Sequence, residues 1–418
     1  MSTWKKILIM TVATTAAVAV AACVNNTETT PAETGTWSTA WSVPMQRASI
    51  GFEPNWSLEG FADQTVRQVV RVTGGGTSAR ITLSNRYGTG ELRIAAATIA
   101  RSDGGARVDS HTLRPLRFGG TDAVSIAPGA EITSDAADLL LAPFESATVT
   151  LYLAAPTGPA TFHAQGYAST YRAAGNHADA VADDAFTDTT HSWYFLADVE
   201  MTGGAATEGA VVAYGDSITD GFGSDNDANN RYPDQLAARL AATGTPRVVL
   251  NGGIGGNMIL SDSPWFGESA VHRFERDVLT KRGVRTVLLF GGLNDIGFSE
   301  VDLPTYKPNP NVTVPQLIEA YRELIDRAHR AGIRVVGATL LPMKGAEYYT
   351  ETSAAKIREL NEWIRTSGEY DAVVDFHAAV VDPADPERLN PAFDSGDHKH
   401  PNAAGYRAMA AAIDPATV

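Results

Sequence analysis

Cysteine is almost missing from this 418-residue chain: Cys23 is the single one. One thiol excludes an intramolecular disulfide and any metal site built from a cysteine cluster. Positive charge is scarce as well. Lys and Arg number 33 against 48 Asp and Glu, a formal charge of −15, which disfavours an electrostatic grip on nucleic acid or anionic lipid headgroups and leaves neutral or weakly charged partners. Two chemical motifs are lacking. No Gly-x-Gly-x-x-Gly follows the first strand of the α/β pattern described below, which argues against a dinucleotide. The histidines show no His-Glu-x-x-His spacing, which argues against catalytic zinc, so no cofactor and no metal are expected. What is present is an ordinary folded composition, 44% hydrophobic and 19% charged. The length suggests two to three domains of about 150 residues.

The N-terminus carries the layout of an export signal. Lys5 and Lys6 precede an apolar stretch from Ile7 to Ala22, sixteen residues with three threonines, too short and too polar for a good membrane span. Residues 1–22 therefore read as a signal peptide. The ending Val20-Ala21-Ala22-Cys23 resembles a bacterial lipoprotein signal, which implies acylation of Cys23 and contact with the membrane through that lipid anchor alone. Cleavage at an Ala-x-Ala site with secretion, and an uncleaved anchor, are the alternatives. Residues 23–35, rich in Thr, Asn, Glu and Pro, form a flexible tether.

Two periods divide the remainder. Short alternating runs, Thr65 to Val72, Ala79 to Leu83 and Ala147 to Leu153, are separated by Gly74-Gly75-Gly76, Gly104-Gly105, Gly119-Gly120 and Pro128-Gly129. Period two with such turn signals predicts an all-β, antiparallel sandwich over residues 36–203. A linker at 204–209 follows. From residue 210 to 418 apolar strand runs at Ala210 to Tyr214, Val248 to Asn251, Arg285 to Phe290, Ile333 to Thr339 and Ala372 to Phe376 alternate with helical patterns. Five strands joined by four crossovers predict a flavodoxin-like, three-layer α/β/α domain with a parallel sheet. One helix begins near Pro315 and stops at Gly332. A second runs from about Ser353, burying Ile357, Leu360, Trp363 and Ile364, and a third follows Asn402.

Ligands of such sheets sit beyond the carboxyl ends of the strands, where strand order reverses. With order 2-1-3-4-5, the loops after the first three strands become neighbours. They are Gly215-Asp216-Ser217-Ile218-Thr219-Asp220-Gly221, Asn251-Gly252-Gly253-Ile254-Gly255-Gly256-Asn257 and Gly291-Gly292-Leu293-Asn294-Asp295, and near the C-terminus Asp394 to Asn402 adds His398 and His400. Ser217, at a strand-to-helix turn, is the candidate nucleophile, with its own N–H and the helix dipole able to stabilise an oxyanion. Serine needs an imidazole to take its proton and a carboxylate to orient that imidazole. Asp397 and His400 match the need. The Gly255-Gly256 backbone and the Asn294 side chain can each add an N–H donor.

These four blocks, GDSIT, NGGIGGN, GGLND and DHKHPN, resemble those of SGNH hydrolases of the GDSL esterase and lipase superfamily, in the family's order. The resemblance covers residues 210 to 413. The N-terminal β pattern is similar to that of two-domain bacterial members grouped with xylanase-cluster acylhydrolases. The family implies acyl-ester hydrolysis through a serine acyl-enzyme, with Ser217, Asp397 and His400 as triad and Ser217, Gly256 and Asn294 as oxyanion hole. Expected substrates are acetyl or short acyl esters, on a polysaccharide or in small aryl and alkyl esters. The alternatives are a longer-chain lipase or lysophospholipase and a non-catalytic glycan-binding lipoprotein. Thr219 stands where many members have serine.

Other features read more plainly. His398, with Asp394 four residues before it, is the rival base. Asp225 to Asn230 begins like a calcium loop but carries Asn230 and Leu236 where Gly and Glu are required, which predicts a solvated loop. Met258, Ile259, Leu260, Trp265 and Phe266 either line an acyl pocket or pack beneath the Gly256 loop. His111, His163, His177, His191, His272, His329 and His377 read for the most part as surface or core histidines.

Overall fold

A segment that alternates apolar and polar residues buries one face and must find another sheet to cover it. In the computed structural model, which describes residues 36–205, 207–302, 304 and 306–418, the N-terminal segments do this mainly as two antiparallel sheets, beside the two-stranded pairs Phe162–His163 with Trp193–Tyr194 and Leu92–Ile94 with Val124–Ile126. One has the order Ser38–Ser42, Leu196–Thr202, Gly76–Ser84, Glu131–Thr133, with Ala137–Leu141 also paired to Gly76–Ser84. The other runs Asp188–Thr190, Thr170–Ala174, Gln64–Arg71, Ser146–Leu153, Ala96–Arg101, Arg114–Pro115. Val66, Val70, Ile99, Val149 and Leu151 from the second sheet share one core with Ile81, Leu83, Leu139, Leu141 and Val199 from the first. Each such side chain contributes about 1.5–3 kcal/mol on burial. The expected sandwich-like, all-β region is present. Cys23 and the signal and tether segments lie outside the described residues.

Beyond Gly209 the pattern changes to strand and helix, and the sheet becomes parallel. Its order is Val248–Gly253, Ala210–Gly215, Val284–Leu289, Arg334–Ala338, Ala372–Val374, the expected 2-1-3-4-5. Ala210–Gly215 is buried along its whole length because it pairs on both sides and is covered on both faces, which is why it reads as an unbroken apolar run. The helix Val314–Arg330 buries Leu317, Tyr321, Leu324, Ile325 and Ala328, and Gly332 follows it at φ +72°. Glu351–Thr366 buries Ile357, Leu360 and Ile364, with Trp363 only partly covered. The last strand is shorter than the sequence suggests. Asp375 accepts a hydrogen bond from the Ala378 N–H at 3.0 Å and so turns Phe376 into a short helix instead of extending the strand.

Residues 36–418 form one compact unit. Thr73 Oγ1 donates to the Val249 carbonyl and accepts from the Val249 N–H, fastening the β region to the edge strand Val248–Gly253. Lys281 Nζ meets Asp198 at 2.5 Å, and Thr39 exchanges hydrogen bonds with Arg282. These contacts bring the loops around Phe52 and His163 against the carboxyl ends of the parallel strands.

Candidate active site

The strand Ala210–Gly215 ends at Asp216, whose extended backbone and side-chain acceptor cap the helix Ser217–Asp220. Ser217 is thereby the first residue of that helix. Its Oγ lies 2.7 Å from His400 Nε2, and His400 Nδ1 lies 2.5 Å from Asp397 Oδ2. Asp397 Oδ1 accepts from the backbone N–H groups of His400 and Lys399. The ring of Phe222 stands 4.3 Å from that of His400, so one face of the imidazole is dry.

Burial lowers the pKa of His400 below its ordinary 6.5, and the neighbouring Asp397 only partly opposes it. The imidazole is thus neutral near pH 7, ready to accept a proton. Burial alone would raise the Asp397 carboxyl, but the hydrogen bond and charge of His400, with the two backbone donors, hold it well below the usual carboxylate range. Asp397 stays ionised beside a base that can become charged.

Glycine at position 256 of the second loop is demanded by space. Gly256 has φ +73°, and a Cβ there would stand 2.4 Å from the Phe266 ring. Asn257, next to it, is held by Arg273, whose Nε donates to Asn257 Oδ1 while its other nitrogens reach the carbonyls of Gly215 and Gly252. A buried guanidinium so joins the ends of the first two strands to the second loop. Asn294 Nδ2 donates to the Asn257 carbonyl at 3.0 Å, and Asp295 accepts from Ile259 and Leu260 N–H, locking the third loop to the second. The five residues that the sequence offers as triad and oxyanion donors, Ser217, Gly256, Asn294, Asp397 and His400, fall in this one cluster of loops.

The rival histidine is elsewhere occupied. His398 Nδ1 meets Asp394 Oδ2 at 2.6 Å, a pair formed as its spacing suggests, but its side chain is 46% exposed and it is His400 that reaches Ser217. The acidic loop at 225–230 is exposed over residues 225–228, as the sequence suggests, and it is also anchored. Asp227 accepts from both the N–H and the hydroxyl of Ser169, and its own N–H donates to the Tyr167 carbonyl, so the loop docks on the β region. Met258, Ile259 and Phe266 are buried in the core, while Leu260 and Trp265 are partly exposed against it.

Sequence reasoning missed four features. Arg273 has no motif signal, and its role shows only in its partners, the Gly215 and Gly252 carbonyls and the Asn257 and Asp277 side chains. Phe52, from the β region, stacks on Phe266 at 5.7 Å and meets Phe222 at 6.4 Å, making part of the wall beside the site. Asp220, in the same block as Ser217, accepts from the Gly255 N–H at 3.0 Å. His163, from the β region, is neither surface nor merely packed: its Nε2 meets Asp220 at 3.0 Å. The block position of Asp220 was a usable signal; His163 had none.

Residues 213–408 match the GDSL-like lipase/acylhydrolase family. No curated protein matches the chain. Solved structures similar to it include a GDSL-like lipase from Bacteroides thetaiotaomicron VPI-5482, 21% identical over 50% of this chain and 88% of that one, TM-score 0.37. A lipase/acylhydrolase from Enterococcus faecalis is 20% identical over 49% and 92%, TM-score 0.38. A variant of an acetyl xylan esterase from Geobacillus stearothermophilus is 22% identical over 50% and 93%, TM-score 0.38.

Proposed function

We propose, from the premise that residues 213–408 belong to the GDSL-like lipase/acylhydrolase family and that the protein is a hydrolase acting on esters, that it works through a Ser217-His400-Asp397 triad on acetyl or short acyl esters. The observation that carries the reading is the chain Ser217 Oγ, His400 Nε2, His400 Nδ1, Asp397 Oδ2, with contacts of 2.7 and 2.5 Å. Ser217 Oγ attacks the ester carbonyl as His400 Nε2 takes its proton, and Asp397 stabilises the imidazolium. The N–H groups of Ser217 and Gly256 and the amide of Asn294 receive the developing oxyanion. The C–O bond to the alcohol then breaks, His400 protonates the departing oxygen, and the acyl group stays on Ser217. Water, deprotonated by His400, repeats the sequence and releases the acid.

A small acyl group is favoured because Met258, Ile259 and Phe266 are already buried against the core and leave less apolar surface free beside Gly256. The alcohol partner is a polysaccharide or a small aryl or alkyl group. From the sequence layout we also propose export with Cys23 acylated, residues 23–35 acting as the spacer to the β region.

The test is hydrolysis of p-nitrophenyl esters from two to sixteen carbons beside acetylated xylan, for wild type and Ser217→Ala. Short esters should turn over fastest, and Ser217→Ala should lose roughly four to six powers of ten in rate. A variant keeping more than about a tenth of the rate would refute the triad. A maximum at long chains would point to a lipase or lysophospholipase, and no turnover with glycan binding would point to an inert binding protein.

A further inference from the structure

The β region reaches into the loop that carries Gly256 through a buried pair. His163 lies on the short strand Phe162–His163, and Asp220 ends the helix that begins at Ser217. Both are about 1% exposed. His163 Nδ1 is 2.9 Å from the Pro44 carbonyl and Nε2 is 3.0 Å from Asp220 Oδ1, while Asp220 Oδ2 accepts from the Gly255 N–H at 3.0 Å. A carbonyl only accepts, so Nδ1 carries a proton there, and a second proton is held between Nε2 and Oδ1. Both carboxylate oxygens are thus committed, one to the β region and one to the second loop.

The same residue is pressed from the other side. A Cβ on Gly255 would stand 2.1 Å from Gln165 Oε1 and 2.8 Å from the Phe52 ring, both from the β region. Gly255 therefore sits between an acceptor that fixes its N–H and a wall that fixes its Cα. The Gly255 N–H belongs to the Ile254-Gly255 peptide and the Gly256 N–H to the next one, so with the first plane and the Gly255 Cα both held, only the ψ rotation of Gly255 is left to set where the Gly256 N–H points. Burying a carboxylate and an imidazole is costly unless each is fully bonded, and here the bonding ends on the loop that needs rigidity.

We propose that His163 and Asp220 are positioning residues: the β region, through this pair, orients the Gly255-Gly256 peptide so that the Gly256 N–H points at the reacting carbonyl. The β region is then part of the catalytic apparatus and not an appended module. This rests on the triad reading above, and the two fail differently: loss of the triad reading shows as an active Ser217→Ala, whereas the present inference is judged only on His163 and Asp220.

The experiment compares His163→Ala, Asp220→Ala and Asp220→Asn with wild type in the full-length protein. The readouts are kcat and KM on p-nitrophenyl acetate, inhibition by an alkyl boronic acid, and the thermal midpoint. A boronate becomes tetrahedral on the serine and places an oxygen where the oxyanion forms. His163→Ala and Asp220→Ala should lower kcat ten- to a hundredfold with KM within about threefold, and boronate inhibition should weaken by the same factor as kcat/KM. Asp220→Asn keeps an acceptor for Gly255 and offers an N–H to a neutral His163, so it should recover most of kcat. If Asp220→Ala does not fold, His163→Ala and Asp220→Asn still decide. Lowered thermal midpoints with unchanged kcat and boronate inhibition would overturn the inference and leave the pair as an interface contact only. So would an Asp220→Asn variant as impaired as the alanine ones.

Discussion

Adding one methyl group at Gly256 should damage catalysis far more than folding. The residue sits at φ +73°, where a side chain costs roughly 1–2 kcal/mol. The new Cβ would also lie 2.4, 2.6 and 2.8 Å from three atoms of the Phe266 ring, against about 3.5–4.0 Å for carbon atoms in contact. The ring has little room to yield, being 4% exposed and packed on Phe52, Phe298 and Tyr306. The loop must therefore give by about 1 Å, and the Gly256 N–H moves with it. Loss of one oxyanion donor costs about 3–4 kcal/mol of transition-state stabilisation, a hundredfold to a thousandfold in kcat. Steady-state hydrolysis of p-nitrophenyl acetate by Gly256→Ala, with the thermal midpoint measured beside it, gives the comparison. Adding Phe266→Ala, with Phe266→Ala alone as reference, removes the clash and should return at least about tenfold of the loss. A Gly256→Ala enzyme with kcat within about threefold of wild type would refute the reasoning, as would a double variant no better than the single one.

Three further outcomes follow from the geometry. His400→Ala should fall nearly as far as Ser217→Ala, with the double variant little worse, while His398→Ala should be mild; kinetics of the four proteins check this, and the reverse order would move the base to His398. The base works only when neutral and its pKa is lowered, so kcat/KM should be full above that pKa and fall as pH drops through it. A pH profile should place the acid limb below 6.5, and a midpoint above 6.5 would contradict the burial argument. Asp216 is fully buried with one carboxyl oxygen unpartnered, and desolvation raises its pKa to about 7. A raised folded pKa means its stabilising proton is lost as pH rises through about 7. Thermal midpoints of wild type and Asp216→Asn should therefore diverge in favour of the variant between about pH 4 and pH 8, and parallel curves would refute the assignment.

Much of this protein was determined locally. The change from period two to strand and helix marks where antiparallel sheets give way to a parallel one, because an alternating segment has one face to bury and an apolar run has two. The loops that carry Ser217, Gly256, Asn294, Asp397 and His400 were legible for a related reason: each follows a strand or precedes a helix, and the order 2-1-3-4-5 of a flavodoxin-like sheet makes the first three of these loops neighbours. The choice between His400 and His398 was different. Both have a carboxylate at short spacing, and only the backbone path, with φ +66° at His398, decides which ring faces the serine. Arg273, Phe52, Gln165 and His163 were not readable at all. Their roles come from carbonyls, rings and a carboxylate far away in the chain, with Asp220 57 residues beyond His163, and no local periodicity records a contact between two separately patterned regions. Sequence set the elements and the loops that carry chemistry; tertiary packing decided what holds those loops still, since rigidity in a buried polar network depends on every partner, and most partners are remote.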